Sequence, residues 1–193
     1  MSTRFQRSRP LSTIAAVTVA LGAMLGAAGA SAQTAAPAAS APRAAHADSS
    51  FLKNAAEANF GEINAANIAL KKGVSADVKS FAQKMIDDHK KADSDLQSLA
   101  ASKGVKLPTE ATMIQKGKEK LLEQRDGTSF DHHYAENQVS AHKDAVKLFE
   151  KASKDAKDAD VKAWAAKMLP ALQQHLTEAQ ALETATKAAD KKK

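Results

Sequence analysis

Apolar residues spaced alternately four and three apart run through Val78, Ala82, Met85, Ala92, Leu96 and Leu99, with His89 completing the series at its centre. Only a helix of about 3.6 residues per turn keeps such positions on one face, and that face must be buried against a partner. Ser75 stands where its hydroxyl can accept from the free N–H groups of the first turn, and Gly104 suits the left-handed residue that closes the last. The same spacing returns in Val161, Ala165, Met168, Leu172, His175, Ala179 and Leu182, again with one central histidine. A polar ring in an apolar seam needs partners of its own or a bound ligand.

Two further helices follow from the same pattern. The first runs from Phe51 to Lys72, with Leu52, Ala55, Ala56, Ile63, Ala66 and Leu70 on one arc and Gly73 to end it. Glu62 falls inside that arc and Asn59 near its centre, whereas Glu57 points out. From Ser129 to Lys154, Tyr134, Ala135, Gln138, Val139, His142, Ala145, Val146 and Phe149 share a side. Asp131 projects the same way as His142 about three turns earlier, His133 projects away and His132 lies near the edge. Asp158 or Asp160 opens the last helix, where Pro170 predicts a kink. Between the second and third long helices, Pro108 stops the chain and Thr109 to Arg125 is only weakly helical, interrupted by Gly117 and ending at Asp126-Gly127. The expected fold is all-α: a four-helix bundle with a long, partly helical crossover between helices 2 and 3, whose direction the pattern leaves open.

The amino-terminal segment has a different character. Arg4, Arg7 and Arg9 precede an apolar, small-residue run from Leu11 to Ala30, and Ala30-Ser31-Ala32 fits cleavage before Gln33. Residues 1–32 therefore read as a secretory signal peptide, and the mature chain as periplasmic or secreted with no stable membrane insertion. Cleavage removes three of the 28 basic residues and none of the 22 acidic ones, so the net charge of +6 falls to +3. Most of that excess is in Lys187 and Lys191 to Lys193, which with residues 188–190 read as a Lys-rich tail. Basicity then gives no argument for nucleic acid. Residues 33–50 read as an Ala/Pro/Ser-rich flexible linker containing His46, and the bundle domain as 51–186. The chain has no cysteine, which rules out disulfides, thiolate metal sites and thiol nucleophiles.

At ~1.5 Å per residue, His89, His142 and His175 each lie ~20 Å into their helices, and Glu62 ~15 Å from the end of the first. Helices of ~40 Å put all four near mid-height and facing inward, one polar residue per helix. Imidazole nitrogens with a carboxylate oxygen suit zinc, iron, copper or manganese. Asp88, Asp93, Asp131 and Glu178 are the acids near enough to orient such ligands.

Several stretches carry a family resemblance. They are Glu62-Ile-Asn-Ala-Ala-Asn-Ile-Ala-Leu, Val78-Lys-Ser-Phe-Ala-Gln-Lys-Met-Ile-Asp-Asp-His89, Gly104-Val-Lys-Leu-Pro108, Phe130-Asp131, His142-Lys-Asp-Ala-Val-Lys-Leu-Phe149 and Leu169-Pro-Ala-Leu-Gln-Gln-His175. Through them, Phe51 to about Leu182 resembles the domain-of-unknown-function 4142 family of exported ferritin-like bacterial proteins. The resemblance implies a ferritin-like four-helix bundle and brings no activity with it. Di-iron bundles of that architecture carry Glu-x-x-His on two helices, whereas here Ile86, Val139 and Leu172 stand three residues before the histidines. A ferroxidase-type centre is therefore not expected.

Two readings of function follow. In one, Glu62, His89, His142 and His175 bind a divalent metal for storage, buffering or stress protection. In the other, the histidines form a metal-free structural network in a non-enzymatic envelope or stress protein. That second protein would bind a protein partner or a second copy. No nucleophile motif or phosphate loop supports an enzyme.

Overall fold

The computed structural model describes residues 45–191, and its elements are five helices. They are α1 (His46–Lys72), α2 (Ala76–Ser102), α3 (Met113–Glu123), α4 (Gly127–Asp155) and α5 (Ala159–Asp190). No strand occurs among the described residues. The segment expected to be a signal peptide lies outside them. No described helix is long and apolar enough to cross a membrane.

Contacts between helix ends define the topology. At one end, the backbone N–H groups of Val74 and Ser75, between α1 and α2, donate to Asp131 early in α4 at 3.0 and 2.8 Å. At the opposite end, Lys157 and Asp158, between α4 and α5, donate their N–H groups to Asp48 early in α1, the shortest bond being 2.8 Å. α1 and α5 therefore run one way and α2 and α4 the other. The crossover from α2 to α4 spans the full length of the bundle, as in one-crossover ferritin-like folds. α3 makes the return alongside α1, where Asn64 donates to Glu119 and Lys72 to the Glu123 carbonyl.

These contacts also change two boundaries. α1 begins at His46, five residues before the expected start of the domain at Phe51, because Asp48 is buried and ties that turn to the backbone of residues 157 and 158. α5 continues to Asp190, where Thr128 donates to the Asp190 carboxylate at 2.9 Å, so the first four residues of the expected tail are helical and its last two lie outside the described residues. One expected interruption is absent as well: Gly117 sits within α3, which a Thr112–Gln115 capping box initiates. Pro170 lies on the exposed side of α5, and the helix continues past it.

Asp48 and Asp131 do equivalent work, and they stand 83 residues apart. The same offset relates Asp77-Val-Lys-Ser-Phe-Ala-Gln-Lys-Met85 to Asp160-Val-Lys-Ala-Trp-Ala-Ala-Lys-Met168. It also relates the turns at Gly73 and Ala156, whose φ/ψ values are −57/136° and −56/137°. The α1–α2 and α4–α5 hairpins are thus two versions of one unit, each capping the turn of the other.

The interior forms two apolar clusters with a polar layer between them. One contains Ala69, Val78, Met85, Phe130, Tyr134 and Leu182. The other is built on Leu52, Leu96 and a triangle of Phe51, Phe149 and Trp164, with ring centroids 5.1–5.8 Å apart. Asn59, Glu62, His89, Gln138, His142 and His175 are buried at mid-bundle between the two.

Each capping aspartate satisfies backbone donors that lack another partner, and removing one costs about 1–3 kcal/mol. Asp48→Ala and Asp131→Ala should each lower the melting temperature by several degrees. Asp93→Ala should change it little, because that carboxylate bonds only the neighbouring-turn Gln97 on an exposed face. Calorimetry of the three variants checks this, and equal effects would contradict the capping roles.

Candidate metal centre

Three helices bring the histidines together: α2 supplies His89, α4 His142 and α5 His175. Their ring centroids are 5.4–5.9 Å apart, and one ring nitrogen from each lies within 4.8 Å of the other two. All three are buried, with exposures of 8, 1 and 3%.

Each ring has one nitrogen committed to a hydrogen bond. His89 Nδ1–H donates to Asn59 Oδ1 at 2.7 Å, His142 Nδ1–H to the Gln138 carbonyl at 3.0 Å, and His175 Nε2–H to Asp88 Oδ2 at 2.9 Å. A neutral imidazole has one N–H and one lone pair. These bonds therefore leave lone pairs on His89 Nε2, His142 Nε2 and His175 Nδ1, and all three atoms are buried without a partner. Fixing the tautomer through the outer nitrogen is how proteins prepare imidazole for metal.

The other residues proposed from sequence fall into two groups. Glu62 is buried in the same layer and lines the same cavity, but its carboxylate is outside the 4.8 Å set. Gln138 hydrogen-bonds that carboxyl, and Oε2 has no partner. Asp88 bonds His175 directly and Lys84 at 3.3 Å, and Lys84 also pairs with Glu178 at 3.2 Å. Glu178 thus reaches the centre only through that chain. Asp93 and Asp131 are occupied elsewhere, Asp93 with Gln97 and Asp131 with the α1–α2 turn. Asn59 and Gln138 bond the site, although sequence reasoning assigned neither a role. Their signal was the one that marked Glu62: a polar side chain inside an apolar arc.

Burial and the proximity of the other two rings push His89 down to about 3. Burial also lowers His175, against the opposing pull of its Asp88 hydrogen bond. Glu62 is raised, because burial outweighs the stabilisation of its charge by His142, Gln138 and Lys118. For Asp88, burial opposes the charged form, yet bonds from His175 and Lys84 prevail and lower its pKa. Two rings of the centre, His89 and His175, thus resist protonation.

A depressed histidine pKa makes the folded state resist protonation. Its contribution is complete above the unfolded value near ~6.5 and is lost as pH falls through the window down to about 3 for His89. Within that window His89 alone should impose a slope approaching ~1.4 kcal/mol per pH unit. Glu62 contributes in the opposite sense, losing stability as pH rises above its unfolded range. Denaturant unfolding of metal-stripped protein at several pH values should show stability falling below pH ~6.5, with a shallower fall in His89→Leu and an unchanged one in His133→Leu. Parallel curves for the parent and His89→Leu would contradict the neutral buried ring.

Residues 33–182 match the family described as "Domain of unknown function (DUF4142)". A search of curated proteins finds no match. Among solved structures, the DUF305 fragment from Deinococcus radiodurans superposes with a TM-score of 0.67 at 11% identity, covering 74% of this chain and 99% of that one. A conserved hypothetical protein from Mycobacterium tuberculosis gives 0.58 at 19% identity, covering 72% and 92%. At these identities the likeness concerns fold alone. The family match spans most of the sequence, and the chain belongs to the DUF4142 family.

Proposed function

We propose that the bundle holds one divalent transition-metal ion on His89, His142 and His175 and works outside the cytoplasm as a metal-buffering or storage protein. The observation that carries this reading is three buried lone pairs, each on a ring whose other nitrogen is already hydrogen-bonded. A metal-free structural network would pair those nitrogens with one another or with side chains, and here they have no partners. Tetrahedral Zn–N bonds of ~2.0–2.1 Å put ligand nitrogens about 3.4 Å apart, so modest side-chain movement closes the triad on an ion. Imidazole donors favour zinc or copper and suit iron, while the absence of a carboxylate cage disfavours calcium and magnesium.

The repeat supports one ion rather than two. Counterparts of His89, His142 and His175 at the 83-residue offset are Leu172, Asn59 and Ala92. None is an imidazole or a carboxylate, so the second half of a symmetric dinuclear centre has no ligands. Glu62, beside His142, supplies a negative charge at the wall of the site.

The test is metal titration of protein purified without an affinity tag and stripped with chelator. One equivalent of zinc or copper should bind per chain. Ligand at 100 times its dissociation constant stabilises by ~2.7 kcal/mol, which should raise the melting temperature by several degrees. His89→Leu should abolish the rise and His133→Leu should keep it. Asp88→Ala should weaken affinity by about 10–100-fold, since that carboxylate orients His175. Absence of any metal-dependent shift in the parent would refute the reading.

A further inference from the structure

A cavity of about 540 Å³ adjoins the three histidines, lined by α1, α2, α4 and α5 and partly covered by α3. One water occupies about 30 Å³ of liquid volume, so this space far exceeds the needs of an ion and its solvent. Its volume falls within the range typical of sites for small organic molecules. The walls away from the histidines are mainly apolar and include Leu96, Ala145, Phe149, Trp164 and Leu172. Polar atoms without partners collect at the histidine end: Asn59 Nδ2, Glu62 Oε2 and Gln138 Oε1, on residues no more than 8% exposed.

Three neutral imidazoles neutralise none of an ion's double charge. They also leave at least one coordination position open, the arrangement of zinc sites that accept an exogenous ligand. A buried excess of positive charge is costly without counter-charges, and the protein offers Glu62 in the wall and Asp88 behind His175. A carboxylate oxygen from outside would fill the open coordination position, and Asn59 Nδ2 offers an amide donor beside it. Beyond that end the cavity surface is mainly apolar, with the Trp164 indole N–H as a buried donor without a partner and charged side chains such as Lys91, Asp95 and Lys167 also in its lining.

Resting on the metal reading above, we infer that the cavity takes a small monocarboxylate with an apolar body. Its carboxylate would lie on the histidine-bound ion and beside Asn59, and its hydrocarbon part along Leu96, Ala145 and Leu172 toward Trp164. The pseudo-symmetric plan accounts for the shape of the space. Leu172 and Ala92 occupy the positions equivalent to His89 and His175, so two of the three places that would carry a second ligand set are apolar, the third being Asn59.

Trp164 is the single tryptophan of the chain and lines the cavity, so its fluorescence reports occupancy directly. Cobalt(II) bound at the histidines would report coordination through its visible bands. Protein loaded with one equivalent of cobalt should be titrated with hexanoate and with acetate. Hexanoate is expected to shift both signals and to bind at least tenfold more tightly than acetate, because its extra methylenes leave water for the cavity. Ala145→Leu narrows the apolar part without touching a ligand. It should weaken hexanoate at least fivefold while leaving cobalt stoichiometry and the acetate response unchanged. Ala145→Val, a smaller intrusion, should weaken hexanoate in the same direction and serves if the larger side chain prevents folding. Cobalt bands that ignore hexanoate would overturn this inference and leave the metal site standing. Equal affinity for the two acids, or a Trp164 response without a cobalt response, would overturn it as well. Failure of cobalt to bind would refute the metal reading and this inference together.

Discussion

The structure turns on three buried imidazole lone pairs that face one another beside a cavity at mid-bundle. A bundle of this length could have been closed with leucine at all three positions. Instead, Asn59, the Gln138 carbonyl and Asp88 each hold one side of a ring, so that the other side is left bare. Leaving buried polar atoms unsatisfied costs roughly 1–3 kcal/mol apiece, so the apolar clusters above and below must carry the fold past that penalty. A metal ion would convert the same atoms from a cost into the strongest contacts in the molecule.

The internal repeat explains both the stability of this arrangement and its asymmetry. Each hairpin contributes one buried aspartate to cap the other hairpin's turn, which locks the two units at both ends of the bundle. Between these locks the two halves diverge. Equivalent positions carry His89 and Leu172, Ala92 and His175, Asn59 and His142. One half of the layer thus carries all three imidazoles and the other a leucine, an alanine and a single amide, which yields a triad beside a cavity rather than a symmetric pair of histidine clusters.

Much of this was readable before any coordinates, because period and rise are local properties of a helix. The seams through His89 and His175, and the arcs holding Glu62 and His142, needed only the 3.6-residue repeat. What escaped depends on distant partners. The turn at His46 has no apolar periodicity and becomes helix because Asp48 meets backbone 109 residues away. Asp131 faces inward, as its helical position required, but stands at a bundle end where a turn claims it. Helical phase does not separate these two fates, and rise alone placed Asp131 only approximately. The 83-residue repeat was present in the sequence at Asp77–Met85 and Asp160–Met168, and aligning those two stretches would have exposed the asymmetry of the histidines.

The most direct test of the central claim is the location of the ion itself. Crystals of zinc-loaded protein, measured on both sides of the zinc absorption edge, would give an anomalous difference map independent of any assumed ligand. The account predicts one strong peak per chain, ~2.0–2.1 Å from His89 Nε2, His142 Nε2 and His175 Nδ1. A peak only at groups outside the centre such as His133 and Glu136, with none between the three buried rings, would contradict it.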